Sequence, residues 1–321
     1  MTQDRGELLA LGRAGNKRAA ARLISAVERG GEEARSVLTQ CWPMTGGAKV
    51  FGLTGPPGAG KSTLANALVT CWRKKGLRVG VIAIDPTSPF SGGAILGDRV
   101  RMSDLTLDEG VFIRSMGTRG QLGGLSPASA GAIHVLDACG YDLILVETVG
   151  VGQSEVSVME QADLVLVVNV PGLGDDVQAI KAGILEIGDL FVVNKADRPG
   201  AERTANELRN MLSLGEEGKR DLPVLLVSAV QGQGIEELCA ETERQCRRLE
   251  DSGELARRRE LRLKGELLTL VREEIEARVL RPVLERPRFR QSLEQFGARN
   301  ESPYQWAEDL IRQIQVGGFE I

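Results

Sequence analysis

The run Gly55-Pro56-Pro57-Gly58-Ala59-Gly60-Lys61-Ser62 has the spacing G-x-x-x-x-G-K-[ST]. Glycines let consecutive backbone N–H groups turn inward around phosphate oxygens. Lys61 supplies a point charge to β- and γ-phosphates, and the Ser62 hydroxyl is a ligand for Mg2+. Thr63, next in the chain, is counted with the nucleotide-contacting residues. A second group, Asn194-Lys195-Ala196-Asp197, has the form N-K-x-D. A carboxylate there accepts from both guanine N1–H and the exocyclic amine, a donor pair that adenine lacks. The Lys195 stem can cover one face of the base. The backbone of Ser228-Ala229-Val230 can offer an N–H to the guanine oxygen. GTP and GDP are therefore the expected substrate and product. The third group is Glu147, closing an apolar run, which can hold Mg2+ directly or through water. Gly150 follows, and its N–H can meet the γ-phosphate and release the loop when that phosphate is lost.

These residues need a frame that brings distant loops to one edge. Seven short apolar runs, at 50–54, 79–84, 111–114, 143–146, 164–170, 190–193 and 224–227, alternate with helical segments. Runs this apolar suit strands buried on both faces, and the alternation predicts an α/β protein with a mainly parallel sheet. The phosphate loop follows the first run and opens a helix over 62–73, the context that the motif requires. The second run comes directly after that helix and ends at Asp85, so strand–helix–strand is a parallel crossover.

Around this P-loop domain, read as 46–246, stand two helical additions. Residues 1–45 are Ala-rich with leucines near helical spacing, broken at Gly30-Gly31, and predict a helical hairpin. Residues 247–321 form a C-terminal arm. Its first part, to about 290, reads as one long amphipathic helix interrupted near Pro282 and Pro287; a last helix spans 303–315. Leu261, Leu263, Leu267, Leu268, Leu270, Val271 and Ile275 need a cover, either the parent domain or a second copy of the chain. The homodimer is the expectation taken forward.

Composition narrows the classes. A net charge of −4 and a pI near 5.4 argue against a polycation built for nucleic acid. One histidine, His134, excludes a zinc site of several histidines. Five cysteines without a C-x-x-C pair fit free thiols in a reducing compartment. No long apolar run crosses a membrane, and the acidic N-terminus reads neither as a secretory nor as a transit signal, so a cytoplasmic protein is expected.

Two longer stretches are more specific than the phosphate loop: Asp85-Pro86-Thr87-Ser88-Pro89-Phe90-Ser91-Gly92-Gly93-Ala94-Ile95-Leu96-Gly97-Asp98-Arg99 and Glu147-Thr148-Val149-Gly150-Val151-Gly152-Gln153-Ser154-Glu155. Together they resemble the MeaB/ArgK family, and the resemblance runs over essentially the whole chain. It implies a homodimeric GTPase chaperone that gates delivery of adenosylcobalamin to an acyl-CoA mutase of the methylmalonyl-CoA mutase type and protects that enzyme. It also places Asp85 and Asp98 near the metal, with Ser62 and Glu147. Val151 stands where Ras-like enzymes carry a water-orienting Gln. Gln153 is one candidate substitute. Lys181, in a segment resembling the family's third switch, is the other. With Lys61 and Glu147 they make up the expected catalytic set, and intrinsic hydrolysis should be slow until a partner orders the loops.

Other residues have plainer readings. His134 is expected to be packed or hydrogen-bonded, and Trp42, Trp72 and Trp306 to lie in a core or an interface. Arg257-Arg258-Arg259 is expected to be a solvated helix face. Two competing functions remain open: a kinase that phosphorylates a small molecule or a periplasmic amino-acid transport protein, and a nickel-insertion GTPase. The second is weakened by the single histidine and the absence of Cys pairs.

Overall fold

The computed structural model describes residues 5–85, 103–117, 127–148, 161–172, 186–214, 222–285, 287–299 and 302–316. These divide into two compact units, Met1–Arg259 and Glu260–Ile321.

The first unit is built on seven strands: β1 (Lys49–Thr54), β2 (Val79–Asp85), β3 (Val111–Gly117), β4 (Leu143–Thr148), β5 (Leu164–Asn169), β6 (Leu190–Val193) and β7 (Val224–Leu226). Their order across the sheet is β3-β2-β4-β1-β5-β6-β7, and every pairing is parallel. All seven apolar runs are strands, as their composition predicts. β4 lies between β1 and β2, with Glu147 opposite Leu53 on one side and Ala83 on the other. Every strand therefore points its C-terminal end, and the loop after it, toward one edge.

Successive side chains of a strand face opposite sides of the sheet. In β1, Val50 joins one core while Phe51 and Leu53 join the other. The first core is closed by α2 (Lys17–Arg29), α6 (Pro127–Ala138) and α7 (Ala201–Ser213), through residues such as Leu23, Leu136 and Leu208. The second is closed by α4 (Lys61–Lys74) and α8 (Ile235–Asp251), through Leu64, Leu68, Trp72 and Leu238.

The N-terminal extension holds three helices: α1 (Arg5–Arg13), α2 and α3 (Gly31–Cys41). The break at Gly30 is the one that the sequence suggests. The other falls at Gly15-Asn16, where Gly15 has φ 96° and the Asn16 side chain caps α2 by accepting from the Ala19 N–H at 3.1 Å. α5 (Ser103–Thr106) is a single turn.

α8 ends at Asp251, and Gly253, with φ 74°, separates it from α9 (Glu254–Ile275). The expected single helix from 247 is thus two. The second unit takes up the later part of α9, a π-helical stretch over Glu276–Leu280, and helices at Arg281–Leu284, Pro287–Gly297 and Pro303–Val316. Phe289 and Phe296 pack on Trp306 inside that unit, with ring centroids 5.3 and 6.1 Å away.

Candidate functional site

The phosphate loop leaves β1 at Gly55, whose φ is 144° and where a Cβ would fall 2.1 Å from the Val168 carbonyl oxygen. Only glycine passes there. Gly58 and Gly60 also have positive φ, and Gly60 forms the N-terminal boundary of α4. A Cβ on Gly60 would come 2.7 Å from the Asn194 amide nitrogen, so the loop and the N-K-x-D segment are in close contact. Ala59 is buried; Pro56, Pro57 and Thr63 are at least partly exposed along the same turn.

Lys61 is only 6 % exposed. Its ammonium donates to the carbonyls of Gly55 at 2.7 Å and Pro56 at 3.1 Å. Those two bonds hold the cation over the loop. Ser62 donates from Oγ to Glu147 Oε1 at 2.7 Å, and Glu147 is 1 % exposed. The first turn of α4 and the end of β4 thus bring a hydroxyl and a carboxylate together beside the loop. This pair fits Mg2+, which takes one or two protein oxygens and completes its shell from phosphates and water. No group of three or more His, Cys, Asp or Glu residues poised for a metal occurs among the described residues. Asp85 is the last residue of β2, at the same edge of the sheet.

The N-K-x-D segment follows β6. Asn194 is buried and bonded on three sides. Its N–H donates to the Asn169 carbonyl at 2.7 Å, its amide nitrogen to the Ala59 carbonyl at 2.8 Å, and its amide oxygen accepts from the Ala229 N–H at 3.1 Å. Its side chain therefore links the phosphate loop to the loop after β7, while its main-chain N–H ties it to β5. Lys195 has φ 59°, and its ammonium donates to the Gly58 carbonyl at 2.6 Å. Its stem is thereby laid between the two loops. Asp197 is exposed and accepts at Oδ1 from the Ser228 hydroxyl at 2.6 Å. That hydrogen bond is the main cause holding its carboxyl below the usual carboxylate range. Ser228 is fully buried and forms a two-way backbone bridge with Gln233. Ala229 is half-buried and Val230 exposed.

The fold therefore brings together Gly55, Pro56, Pro57, Gly58, Ala59, Gly60, Lys61, Ser62, Glu147, Asn194, Lys195, Asp197, Ser228 and Ala229, drawn from segments up to 174 residues apart (229 less 55). Asp98, Gly150, Gln153 and Lys181 lie outside the described residues. Two contributors were not anticipated. Asn169 anchors Asn194 through its carbonyl, and Gln233 closes the Ser228 loop. The glycines at 232 and 234, both with positive φ, were the available sign of that tight loop.

A family model described as methylmalonyl Co-A mutase-associated GTPase MeaB matches residues 20–282. The chain belongs to the MeaB family. It is 48 % identical over 319 residues to a Pyrococcus abyssi protein named a GTPase, covering 98 % of each chain. It is 38 % identical over 229 residues to the mouse methylmalonic aciduria type A homolog, mitochondrial, covering 70 % of this chain and 55 % of that one. A solved structure described as a LAO/AO transport system kinase matches with a TM-score of 0.70 and 28 % identity, over 97 % of both chains. The protein is a GTPase that binds guanine nucleotide and hydrolyses GTP, and the parallel P-loop fold agrees with this membership.

The remaining expectations divide. His134 packs edge-on against Trp42, with centroids 5.4 Å apart. Trp72 is buried against Phe51. The arginine run is not a solvated face. Arg258 makes a bidentate pair with Asp189 at 2.8 and 2.9 Å, and Arg259 pairs with Asp163 at 2.6 and 3.1 Å. Only Arg257 turns outward, to Glu254. Helical spacing could not reveal this, because the acceptors lie 69 and 96 residues away. No helix among the described residues is long and apolar enough to cross a membrane.

Proposed function

We propose that this GTPase gates the loading of adenosylcobalamin onto an acyl-CoA mutase of the methylmalonyl-CoA mutase type, and protects that enzyme. It acts in the cytoplasm, with Mg2+, as a homodimer joined through the 247–321 arm. The observation that carries the reading is the family match over 20–282, whose description ties its members to that mutase. The mouse relative's name points the same way.

The site's geometry supports nucleotide binding, and the residue type at Val151 points to a slow resting rate. Entering β- and γ-phosphates take the Lys61 ammonium from the Gly55 and Pro56 carbonyls. Asp197 receives the guanine donors while Asn194, bonded to the Ala59 carbonyl and the Ala229 N–H, holds both loops in register. Mg2+ bound beside Ser62 and Glu147 would offset phosphate charge. Val151 has no polar atom to hold the attacking water, so Gln153 and Lys181 are assigned that task, in a loop set with Asp85, Asp98 and Gly150. One missing polar contact in such a site is worth about 2–4 kcal/mol, tens- to hundreds-fold in rate. The client mutase restores it by pressing those loops into place.

Single-turnover GTP hydrolysis, with and without a corrinoid mutase from the same host, tests this. The mutase should raise the rate by that margin. Lys181→Ala should lose most of the stimulation while keeping GTP affinity. An unchanged rate with a mutase that binds would overturn the reading. For the dimer, light scattering should find two copies in the full chain and one in a chain ending at Arg259. The support for the dimer is the row of exposed apolar side chains on α9 from Leu261 to Ile275.

A kinase is the second reading, favoured by the description of the solved structure with TM-score 0.70. It predicts radiolabel from γ-labelled GTP on an acceptor molecule, where the first reading predicts free phosphate alone.

A further inference from the structure

α4 and α8 lie side by side in the second core, and two facing pairs join them. The Cys71 thiol lies against the Cys239 thiol, and Lys75 is ion-paired with Glu243. Each pair is one turn from the other on both helices, 71 to 75 and 239 to 243, so the helices run parallel and in register. Cys239 is fully buried, while Cys71 is partly open to solvent. Cys41, Cys139 and Cys246 are all buried. Burial first, and then the neighbouring Cys71 thiol, push the Cys239 thiol up to about 12, with the Lys75 charge opposing. Cys239 is therefore a protonated and sheltered thiol. Cys71 is the one that a dissolved oxidant reaches first.

We propose that Cys71 and Cys239 form a reversible disulfide when the protein meets a hydroperoxide, stapling the phosphate-loop helix to the helix that follows the guanine loop. In the first step Cys71 sulfur attacks the terminal peroxide oxygen. The O–O bond breaks, the alcohol or water leaves with the thiol proton, and Cys71 becomes a sulfenic acid. In the second step Cys239 sulfur attacks Cys71 sulfur. The S–O bond breaks, and water leaves with the Cys239 proton. One peroxide is reduced and two thiols are oxidised. A dithiol reductant reverses the change by exchange.

The staple matters because both helices start at nucleotide loops. α4 begins with Lys61 and Ser62, and α8 begins just after the Ser228–Gln233 bridge. Fixing the last turn of α4 to the second turn of α8 restricts movement of the helix that carries one loop against the start of the helix that follows the other. It also joins residues 168 positions apart, a large loop to close in the unfolded chain.

The test uses the full chain, reduced, freed of reductant and titrated with hydrogen peroxide at pH 7.5. Denatured thiol counts should fall from five to three, and non-reducing peptide mapping should find Cys71 joined to Cys239. The thermal midpoint should rise by roughly 5–15 °C. Release of a fluorescent GDP analogue should slow several-fold, and dithiothreitol should reverse both changes. Cys71→Ser, at the partly exposed position, should fold normally and show neither. Overoxidation of Cys71 without the cross-link, or a cross-link to another cysteine, would overturn the proposal. Unchanged GDP release in a cross-linked protein would overturn its regulatory half.

Discussion

The two edges of the sheet use the same residue types in opposite ways. At the C-terminal edge, Lys61 is buried but held by two backbone carbonyls, and Asp197 stands exposed with a hydroxyl for company. At the N-terminal edge the charged groups are paired off. Asp163 accepts from the Val50 N–H at 3.0 Å and takes Arg259 as well. Asp189 accepts from the Val165 N–H at 2.8 Å and takes Arg258. Asp137 accepts from the N–H groups of Gly46, Gly47 and Ala48. One edge leaves its charges on exchangeable backbone and hydroxyl partners, and the other uses them to finish strand ends that have no further neighbour to pair with. A buried charge with a full set of partners holds the fold, whereas one held by exchangeable partners can serve binding.

The largest effect should come from the N-terminal edge. Asp163→Ala removes the acceptor of the Val50 N–H and leaves Arg259 half-buried without its carboxylate. Breaking a buried pair from one side costs about 3–5 kcal/mol. Urea unfolding should show that loss, while GTP affinity measured on the folded protein stays within a factor of two or three. A comparable loss of affinity would mean that the two edges are not separate in function.

The next effect belongs to the other edge. Asp197→Asn removes the carboxylate proposed to accept two guanine donors, and charge-assisted hydrogen bonds are worth about 1.5–3 kcal/mol each. Allowing for partial replacement by the amide, GTP affinity should fall by about 2–4 kcal/mol, or 30- to 1000-fold. Xanthosine nucleotides should gain, since their extra carbonyl suits an amide donor. Calorimetry with GTP and XTP checks this, and urea unfolding should be unmoved because Asp197 is exposed. Equal GTP affinity in the variant would remove Asp197 from base recognition.

The contrast also explains what could be read from the sequence. The C-terminal edge was legible because each of its loops carries its chemistry in consecutive residues. Gly55–Ser62 and Asn194–Asp197 are short motifs, and the apolar runs before them are strands without exception. The N-terminal edge was not legible, because its chemistry is split between distant parts of the chain. Arg258 and Arg259 sit among glutamates and look like any solvated helix face; only the register of β5 and β6 places Asp163 and Asp189 under them. Helix boundaries were lost for a related reason. Asn16 caps α2 with its side chain, and Gly253 ends a helix in mid-pattern, while the hydrophobic period continues across both breaks. α8 and α9 have similar Arg- and Glu-rich compositions, yet α8 buries Leu238, Cys239 and Cys246 while α9 presents Leu261, Leu267 and Leu270 to solvent. Periodicity says that a face needs a cover, not what the cover is.

The smallest predicted effect tests how far the C-terminal edge is tuned. Ser228 donates to Asp197, and that bond favours the ionised carboxylate, so the carboxyl of the folded protein titrates below its ordinary range. A group depressed in this way keeps its charge as pH falls through the ordinary carboxylate range, and loses it only below that. Reading guanine needs the charged form as a double acceptor. The hydroxyl should therefore extend the acid limit of base recognition while contributing little at neutral pH, where any exposed aspartate is ionised. Ser228→Ala should leave GTP affinity at pH 7 within a few-fold of wild type. It should also move the Asp197 carboxyl titration upward, toward the ordinary value, in carbon-detected NMR of the nucleotide-free protein. GTP affinity in the variant should then begin to fall at a higher pH than in the wild type. If the titration does not move, the hydroxyl only orients the carboxylate, and the loss should instead appear at pH 7 as weaker binding independent of pH.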